Sequence, residues 1–175
     1  YLCRFTGDPN FGRAPQNPAK SLRQKGYGGL YTSAWAASKS PGRAGGMYEN
    51  KYDEKVFFEK YGQMLRSQKG LAGAAEWGTL RGLLPSFEGK RVLDLGCGYG
   101  WHCIYAAQQG ALRVVGGDIS EKMLEIAREK TKEPQVEYLR LPMEEIAFEK
   151  ESFDLVLSSL ALHYVADFEG LLGKI

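Results

Sequence analysis

The feature that most constrains the fold is a short apolar segment that runs directly into three closely spaced glycines. Residues 92–95 are followed by Gly96, Gly98 and Gly100, and Trp101 then starts a stretch with helical character. Glycines permit a tight turn, and they let a ligand come close to the backbone N–H groups at the start of the following helix. The pattern therefore predicts a buried strand, a ligand-binding turn and a helix, which is how open α/β sheets begin.

Apolar periodicity, interrupted by glycine and proline, predicts further elements in alternation along the rest of the chain. We expect strands at 91–95, 112–117, 136–141 and 153–158, and helices at 53–70, 71–84, 101–109, 121–132 and 163–173. Ser120 is the predicted N-cap of the helix that starts at residue 121. Alternating strands and helices imply parallel strands joined by right-handed crossovers, with helices on both faces of the sheet.

The spacing of the glycines bears on the class of ligand. Dinucleotide-binding folds place the third glycine one residue later, where it packs the helix on the strand beneath a pyrophosphate. Trp101 occupies that position here. Because a tryptophan fits poorly against a pyrophosphate, the spacing favours a ligand without phosphates and disfavours a dinucleotide-dependent oxidoreductase.

Two carboxylates end the first two predicted strands. Asp94 lies in an otherwise apolar strand, where an unpaired charge is costly, so we expect it to have a partner. That partner is either the ammonium of an amino-acid ligand or nearby backbone N–H groups, if Asp94 only orders the loop. Asp118 ends the second strand, where it either accepts both ribose hydroxyls of an adenosine or caps the following helix.

These blocks together resemble the class I S-adenosylmethionine-dependent methyltransferases, closest to the small-molecule branch that includes the ubiquinone- and menaquinone-type enzymes. The resemblance covers roughly residues 90–174 and rests on VLDLGCGYG (92–100), GGDIS with EKML (116–124) and FDLVLSSLALHYV (153–165) in that order. It implies a Rossmann-like open parallel sheet, the first half of a seven-stranded fold. The four strands present would be ordered 3-2-1-4, with the fourth left as an open edge.

The same resemblance implies a division of the chain. Residues 90–175 would be an incomplete S-adenosylmethionine-binding core, and residues 47–89 a helical lid. The segment YDEKVFFEKYGQMLRS (52–67) is similar to the N-terminal helices that cover the cofactor in this family.

The resemblance also implies roles for individual residues around the cofactor. The implied cofactor-binding residues are Asp94, Gly96, Cys97 and Gly98 at the methionine part, Asp118 at the ribose, Ile119, Met123 and the Met143 N–H at the adenine, Ser158 and Ser159 at the amino-acid portion, and Tyr61 in the lid. Tyr61 is also compatible with a core aromatic. Many relatives carry an aspartate for the adenine amino group where this chain has Pro142, and Glu144 is a candidate substitute.

A general base is needed only if the methyl acceptor enters protonated. His163, just after the fourth predicted strand, is the best candidate for that catalytic role, and structural hydrogen bonds at a helix start are its alternative. His102 is expected to be structural. Cys97 has no base partner in the sequence and is not expected to be a nucleophile.

The first 46 residues differ in composition from the remainder. They carry seven basic residues against one acidic, a net charge of +6, whereas residues 47–175 carry 16 against 20, a net charge of −4. Eight of the 22 glycines and four of the seven prolines also fall there. We expect residues 1–46 to be a disordered basic tail outside the domain or a non-native upstream segment. A native tail would leave room for contact with RNA.

The composition favours a cytoplasmic protein. The three cysteines form no Cys-x-x-Cys pair, no secretory signal is visible, and no apolar run approaches the ~18 residues of a membrane span. No metal site and no membrane partner are predicted. The sequence thus predicts an S-adenosylmethionine-dependent methyltransferase acting on a small molecule. Its alternatives are a cofactor-binding protein without catalysis and, if the tail is native, an RNA methyltransferase.

Overall fold

The computed structural model, which describes residues 2–5 and 50–175, is built on a five-stranded sheet. The strands are β1 (Leu2–Phe5), β2 (Arg91–Leu95), β3 (Arg113–Asp118), β4 (Val136–Arg140) and β5 (Leu155–Ser158). Their order across the sheet is β1-β5-β2-β3-β4. Strands β2 to β5 are mutually parallel and β1 is antiparallel to β5. The predicted Rossmann-like parallel sheet, with its order 3-2-1-4, is confirmed.

The helices of the described residues lie before β2, between the later strands and after β5. They are α1 (Lys55–Gly62), α2 (Leu65–Lys69), α3 (Trp77–Leu83), α4 (Trp101–Gln108), α5 (Glu121–Lys130) and α6 (Phe168–Leu172). Short 3-10 turns lie at Lys51–Asp53, Gly70–Gly73, Met143–Glu145 and Leu162–Tyr164. No helix in the described part of the chain is both long and apolar enough to cross a bilayer.

Apolar side chains cover both faces of the sheet. One face packs β2 and β3 against α4 and α5, through buried residues that include Val92, Cys103, Val114 and Leu124. The other face packs the alternate residues of the same strands against the segments after β4 and β5. Strands buried on both faces read as continuous apolar runs, which is why the central strands could be predicted from sequence.

The predicted helices upstream and at the C-terminal end are shorter than expected. The expected helix over 53–70 is interrupted because Met64 has an extended backbone, with ψ of 145°, between α1 and α2. The expected helix over 71–84 begins only at Trp77. The expected helix over 163–173 is reduced to α6, where the Asp167 side chain caps the helix by accepting from the Gly170 N–H at 2.8 Å.

The N-terminal segment departs from the prediction in one place. Residues 2–5 form β1, which pairs with β5 from Leu2 opposite Ser158 to Phe5 opposite Leu155. The prediction that β5 is an open edge is therefore wrong, because four residues of the predicted tail cover this edge. An apolar edge strand offers unpaired N–H and C=O groups, and β1 satisfies them. The other residues of the predicted tail lie outside the described residues.

Candidate functional site

The glycine loop, residues 96–100, joins β2 to α4 in a backbone conformation that only glycine adopts without strain. Gly96, Gly98 and Gly100 have φ values of 73°, 53° and 74°. The Gly96 and Cys97 N–H groups both donate to the Gly117 carbonyl, at 2.8 and 3.1 Å, which ties the loop to the end of β3. A Cβ at Gly96 would overlap the Cβ of Ala161 in the segment after β5. The loop is thus held between the two strands that flank β2.

The third glycine serves helix packing. Gly100 is the N-cap of α4, and a Cβ there would overlap the Tyr138 hydroxyl of β4. The ring of Trp101 packs instead beside Gly70 and under the Lys130 ammonium, whose nitrogen lies 5.1 Å from the ring centroid. The tryptophan therefore points away from the loop, into contacts with helical segments.

Asp94 is a carboxylate with almost no partners in a closed environment. It is 1% exposed, and its Oδ2 accepts a hydrogen bond from the Cys103 thiol at 3.4 Å. Its Oδ1 is buried and finds no hydrogen-bond partner among the described residues. Burial, reinforced by the negative charge of Asp118, raises the pKa of Asp94 to about 7. The alternative that Asp94 is satisfied by loop N–H groups does not match this geometry.

Asp118 lies at the same edge of the sheet, at the end of β3. Its Oδ2 accepts from the Gly98 N–H at 2.8 Å and its Oδ1 from the Ser120 N–H at 2.9 Å. The cap of α5 is Ser120, whose Oγ accepts from the Met123 N–H at 3.2 Å, so Asp118 is not the helix cap. Burial raises the pKa of Asp118 despite these donors. A carboxylate has about four acceptor positions, which leaves room for two further donors.

The residues predicted around an adenine are brought together in part. Ile119 is partly exposed beside Asp118, whereas Met123 is 1% exposed and presents essentially no surface to a ligand. Met143 lies in the turn after β4, with its Cε close to Gly96. Glu144 is turned elsewhere, because its Oε1 accepts from the Ala166 N–H at 3.4 Å. The structure therefore does not place Glu144 as a substitute for the missing acid at Pro142.

The segment after β5 supplies polar groups of two kinds. Ser158 is buried and its Oγ donates to the Leu95 carbonyl at 2.8 Å, so its hydroxyl fastens β5 to β2. The Ser159 Oγ is buried without a partner among the described residues. His163 is exposed in the turn before α6, with its ring 4.0 Å from that of Tyr164. Partial desolvation lowers the pKa of His163, which favours the neutral imidazole.

Aromatic side chains of the N-terminal helices lie over the glycine loop. The Tyr61 hydroxyl of α1 lies beside Gly98, and its ring contacts the edges of Tyr99 and Tyr52, each with centroids 5.5 Å apart. Tyr61 is half-buried, so one side chain both packs and covers the loop.

Burial shifts the pKa values of two side chains near the loop, Cys97 and His102, in directions that keep both uncharged. Burial raises the pKa of the Cys97 thiol to about 11, which keeps it protonated and unreactive. Burial lowers the pKa of His102 to about 4, and its ring packs on Trp77 with centroids 5.8 Å apart. The first observation agrees with the expectation that Cys97 is not a nucleophile, and the second with the expectation that His102 is structural.

The sequence analysis included Tyr52 and Asp53 in the expected lid segment but assigned neither of them a contact, and the structure shows that they contact both sides of this site. The Asp53 carboxylate accepts from the Ser120 hydroxyl at 2.5 Å, and the Tyr52 hydroxyl lies 3.1 Å from that of Tyr164. Both contacts join residues more than 60 positions apart in the chain. No local pattern could have found them.

The sequence has relatives among known proteins. Residues 93–175 match the family described as "Methyltransferase domain". A Haemophilus influenzae protein of uncharacterised function is 39% identical over 130 residues, covering 71% of this chain and 51% of its own. A ubiquinone biosynthesis O-methyltransferase from Mesorhizobium japonicum is 37% identical over 103 residues, covering 58% of this chain and 41% of its own.

A solved structure agrees with these matches. An S-adenosylmethionine-dependent methyltransferase from Mesorhizobium loti superposes with a TM-score of 0.58 at 48% identity, over 60% of this chain and 48% of that one. The chain spans about half the length of the relatives it matches, or less.

Proposed function

Residues 93–175 are a class I S-adenosylmethionine-dependent methyltransferase domain, and on that premise we propose that the protein binds S-adenosylmethionine at the glycine loop and methylates a small molecule. The observation that carries the proposal is Asp94, whose buried Oδ1 has no partner among the described residues. A buried acceptor left unpaired costs free energy, so its retention at this position points to a ligand that supplies the donor. The ammonium of an amino-acid moiety is such a donor.

The neighbouring groups fit the rest of that cofactor. Asp118 has acceptor capacity for two ribose hydroxyls, and its contact with the Gly98 N–H keeps the carboxylate beside the loop. The left-handed backbone at Gly96 and Gly98 leaves the loop without side chains that would occupy the ligand's place. We assign Ser159 and the backbone after β5 to the carboxylate of the amino-acid portion. Ile119 and the Met143 N–H are assigned to the adenine.

S-adenosylmethionine supplies an electrophilic methyl group on a sulfonium, and the protein is required to align an acceptor and exclude water. Tyr61 and the helices before β2 cover the loop and exclude water from it. His163 is the candidate to accept a proton from the acceptor, since partial desolvation lowers the pKa of its exposed imidazole and so favours the neutral form. The net charge of −4 over residues 47–175 favours a small or neutral acceptor over a polyanion. The name of the ubiquinone biosynthesis O-methyltransferase points the same way.

A cytoplasmic setting belongs to the same proposal. Cys97 and Cys103 are free thiols in contact with the buried site, and a reducing compartment preserves them.

The test is calorimetric titration of S-adenosylhomocysteine into the wild-type chain, Asp118→Asn and Asp154→Asn. Loss of charge-assisted hydrogen bonds to the ribose should weaken binding by Asp118→Asn about 30-fold. Asp154 lies at the opposite edge of the sheet, so Asp154→Asn is the matched control and should bind like wild type. Absence of saturable binding by the folded wild-type chain would refute the proposal. Binding without conversion of S-adenosylmethionine by any acceptor tried would favour a cofactor-binding protein without catalysis.

A further inference from the structure

Adjacent residues of the first 3-10 turn reach opposite sides of the candidate site. We call this turn, Lys51–Asp53, the strap. The Tyr52 hydroxyl lies 3.1 Å from the Tyr164 hydroxyl in the segment after β5. The Asp53 Oδ1 accepts from the Ser120 hydroxyl at 2.5 Å, at the start of α5. The strap therefore crosses from the β5 side of the site to the β3 side.

Asp53 is the better anchored of the two ends. Its Oδ1 also faces the Lys122 N–H at 3.4 Å, and its main-chain carbonyl accepts from the Lys122 ammonium at 2.6 Å. Its Oδ2 accepts from the Asn50 side-chain amide at 2.7 Å. The Asp53 carboxylate and carbonyl together hold the strap on the first turn of α5.

Ser120 connects the strap to the proposed ribose carboxylate. It is 0% exposed, its N–H donates to Asp118 Oδ1 at 2.9 Å, and its single hydroxyl hydrogen is directed to Asp53. The same hydroxyl oxygen accepts from the Met123 N–H and caps α5. Asp118 and Asp53 are thus fixed to one buried residue, by its backbone and by its side chain.

The strap also positions the helix that covers the loop. Helix α1 follows the strap directly, and the Tyr61 ring packs on the Tyr52 ring with centroids 5.5 Å apart. The Tyr61 hydroxyl lies beside Gly98, whose N–H donates to Asp118. The strap therefore contacts α1, α1 contacts the glycine loop, and the loop contacts Asp118 at the proposed ribose position.

We propose that Asp53 is a positioning residue that latches the strap and α1 over the bound cofactor, coupling closure of the site to Asp118 through Ser120. The inference rests on the proposed function. Breaking the Asp53–Ser120 contact frees one end of the strap, so the latch should act chiefly on the rate at which the cofactor leaves. A residue that served only to stabilise the fold would change the unfolding midpoint without changing that rate.

The test compares Asp53→Ala with Glu54→Ala. Glu54 is the next acidic residue, exposed and without a side-chain capping hydrogen bond, so it is a matched control. We expect Asp53→Ala to raise the dissociation rate of S-adenosylhomocysteine about tenfold in stopped-flow displacement, with little change in the association rate. Amide hydrogen exchange over residues 50–62 should lose the protection that the ligand confers on the wild type. Glu54→Ala should match wild type in both measurements.

A second variant keeps the test valid if Asp53→Ala unfolds. Lys122→Met removes the ammonium that Asp53 binds through its carbonyl but leaves the Ser120 cap intact, and it should accelerate dissociation about threefold. Wild-type dissociation rates in both Asp53→Ala and Lys122→Met would overturn the latch while leaving the proposed function in place. Absence of binding by wild type would overturn both.

Discussion

Aspartates at the two ends of the parallel strands differ in their hydrogen bonding; we call these ends the amino edge and the carboxyl edge of the sheet. At the amino edge, Asp154 precedes β5 and accepts three hydrogen bonds from Arg91, from its N–H at 2.8 Å, its Nε at 3.0 Å and its Nη2 at 2.8 Å. At the carboxyl edge, Asp94 accepts one weak bond from a thiol and leaves Oδ1 unpaired among the described residues.

The contrast extends to the pKa values. The Arg91 guanidinium and N–H lower the pKa of Asp154 to about 2, whereas burial raises the pKa of Asp94 to about 7. Asp154 is thus an acid whose partners are supplied by its own chain. Asp94 is an acid for whose Oδ1 the described chain supplies no partner. We interpret the first as structural and the second as a site prepared for a ligand.

The largest expected effect is on the pH dependence of stability. The folded-state pKa of Asp94 lies above its unfolded value of 3.8, so the folded state binds more protons between the two values and stability falls as pH rises from about 4 to about 7. The loss would reach about 4 kcal/mol. Chemical denaturation across this range should show a smaller fall for Asp94→Asn than for wild type, and the fall that remains belongs to Asp118, whose pKa burial also raises. Parallel curves for the two proteins would contradict the assignment of the raised pKa to Asp94.

The next largest effect is on the free energy of unfolding, through the contact between the glycine loop and the segment after β5. Gly96→Ala should lower the free energy of unfolding by about 3 kcal/mol, because the new Cβ overlaps Ala161 and a left-handed φ of 73° strains alanine. The double variant Gly96→Ala/Ala161→Gly removes the overlap and leaves the backbone strain of about 1–2 kcal/mol. A double-mutant cycle by urea unfolding measures this coupling. Additive losses would show that the loop does not press on Ala161.

A smaller effect on stability is expected from Asp154 at the amino edge. The folded-state pKa of Asp154 lies below its unfolded value, so its contribution is present above pH 4 and is lost as pH falls towards 2. Because solvent screens this partly exposed pair, we expect Asp154→Asn to cost about 1 kcal/mol at pH 7. Its unfolding curve should converge with that of wild type near pH 2. A cost that persists unchanged at pH 2 would argue that Asp154 acts through packing and not through its charge.

The smallest effect on binding should come from His163. Its exposed side chain makes no hydrogen bond with other described residues, so His163→Asn should bind S-adenosylhomocysteine with the wild-type affinity. If it accepts a proton from the acceptor, the variant should lose about 10²-fold in turnover. Turnover against pH, once an acceptor is identified, would measure this. An unchanged rate would remove His163 from the proposed mechanism.

Much of the carboxyl edge could be predicted from sequence because its signals are local. An apolar run, three glycines and an acid at each strand end lie within 27 residues, from Val92 to Asp118. The contacts of the strap and the strand β1 could not be predicted, since the residues that they pair with are far along the chain. Asp53 contacts Ser120, which is 67 positions away in the sequence. Strand β1 is near the start of the chain and pairs with β5, which is near its end. Four residues of LCRF are too few to display the alternation that identifies a strand.

The position of Met123 illustrates a second limit. The family resemblance implied a place for it near the adenine, but the side chain turns into the core and is 1% exposed. Sequence spacing fixes the turn of the helix on which a residue lies. It does not fix how closely that turn packs on the sheet, and here close packing leaves Ile119 as the residue with accessible surface.

The most direct test of the account is to titrate S-adenosylhomocysteine into Asp94→Asn at pH 8 by calorimetry, with urea unfolding of the same protein beside it. The account predicts opposite signs: affinity falls at least about tenfold because the ammonium loses its charged partner, while stability rises above that of wild type because a buried ionised carboxylate is removed. Unchanged affinity, or a loss of stability like that expected of Asp154→Asn, would contradict the claim that the carboxyl edge is prepared for a ligand.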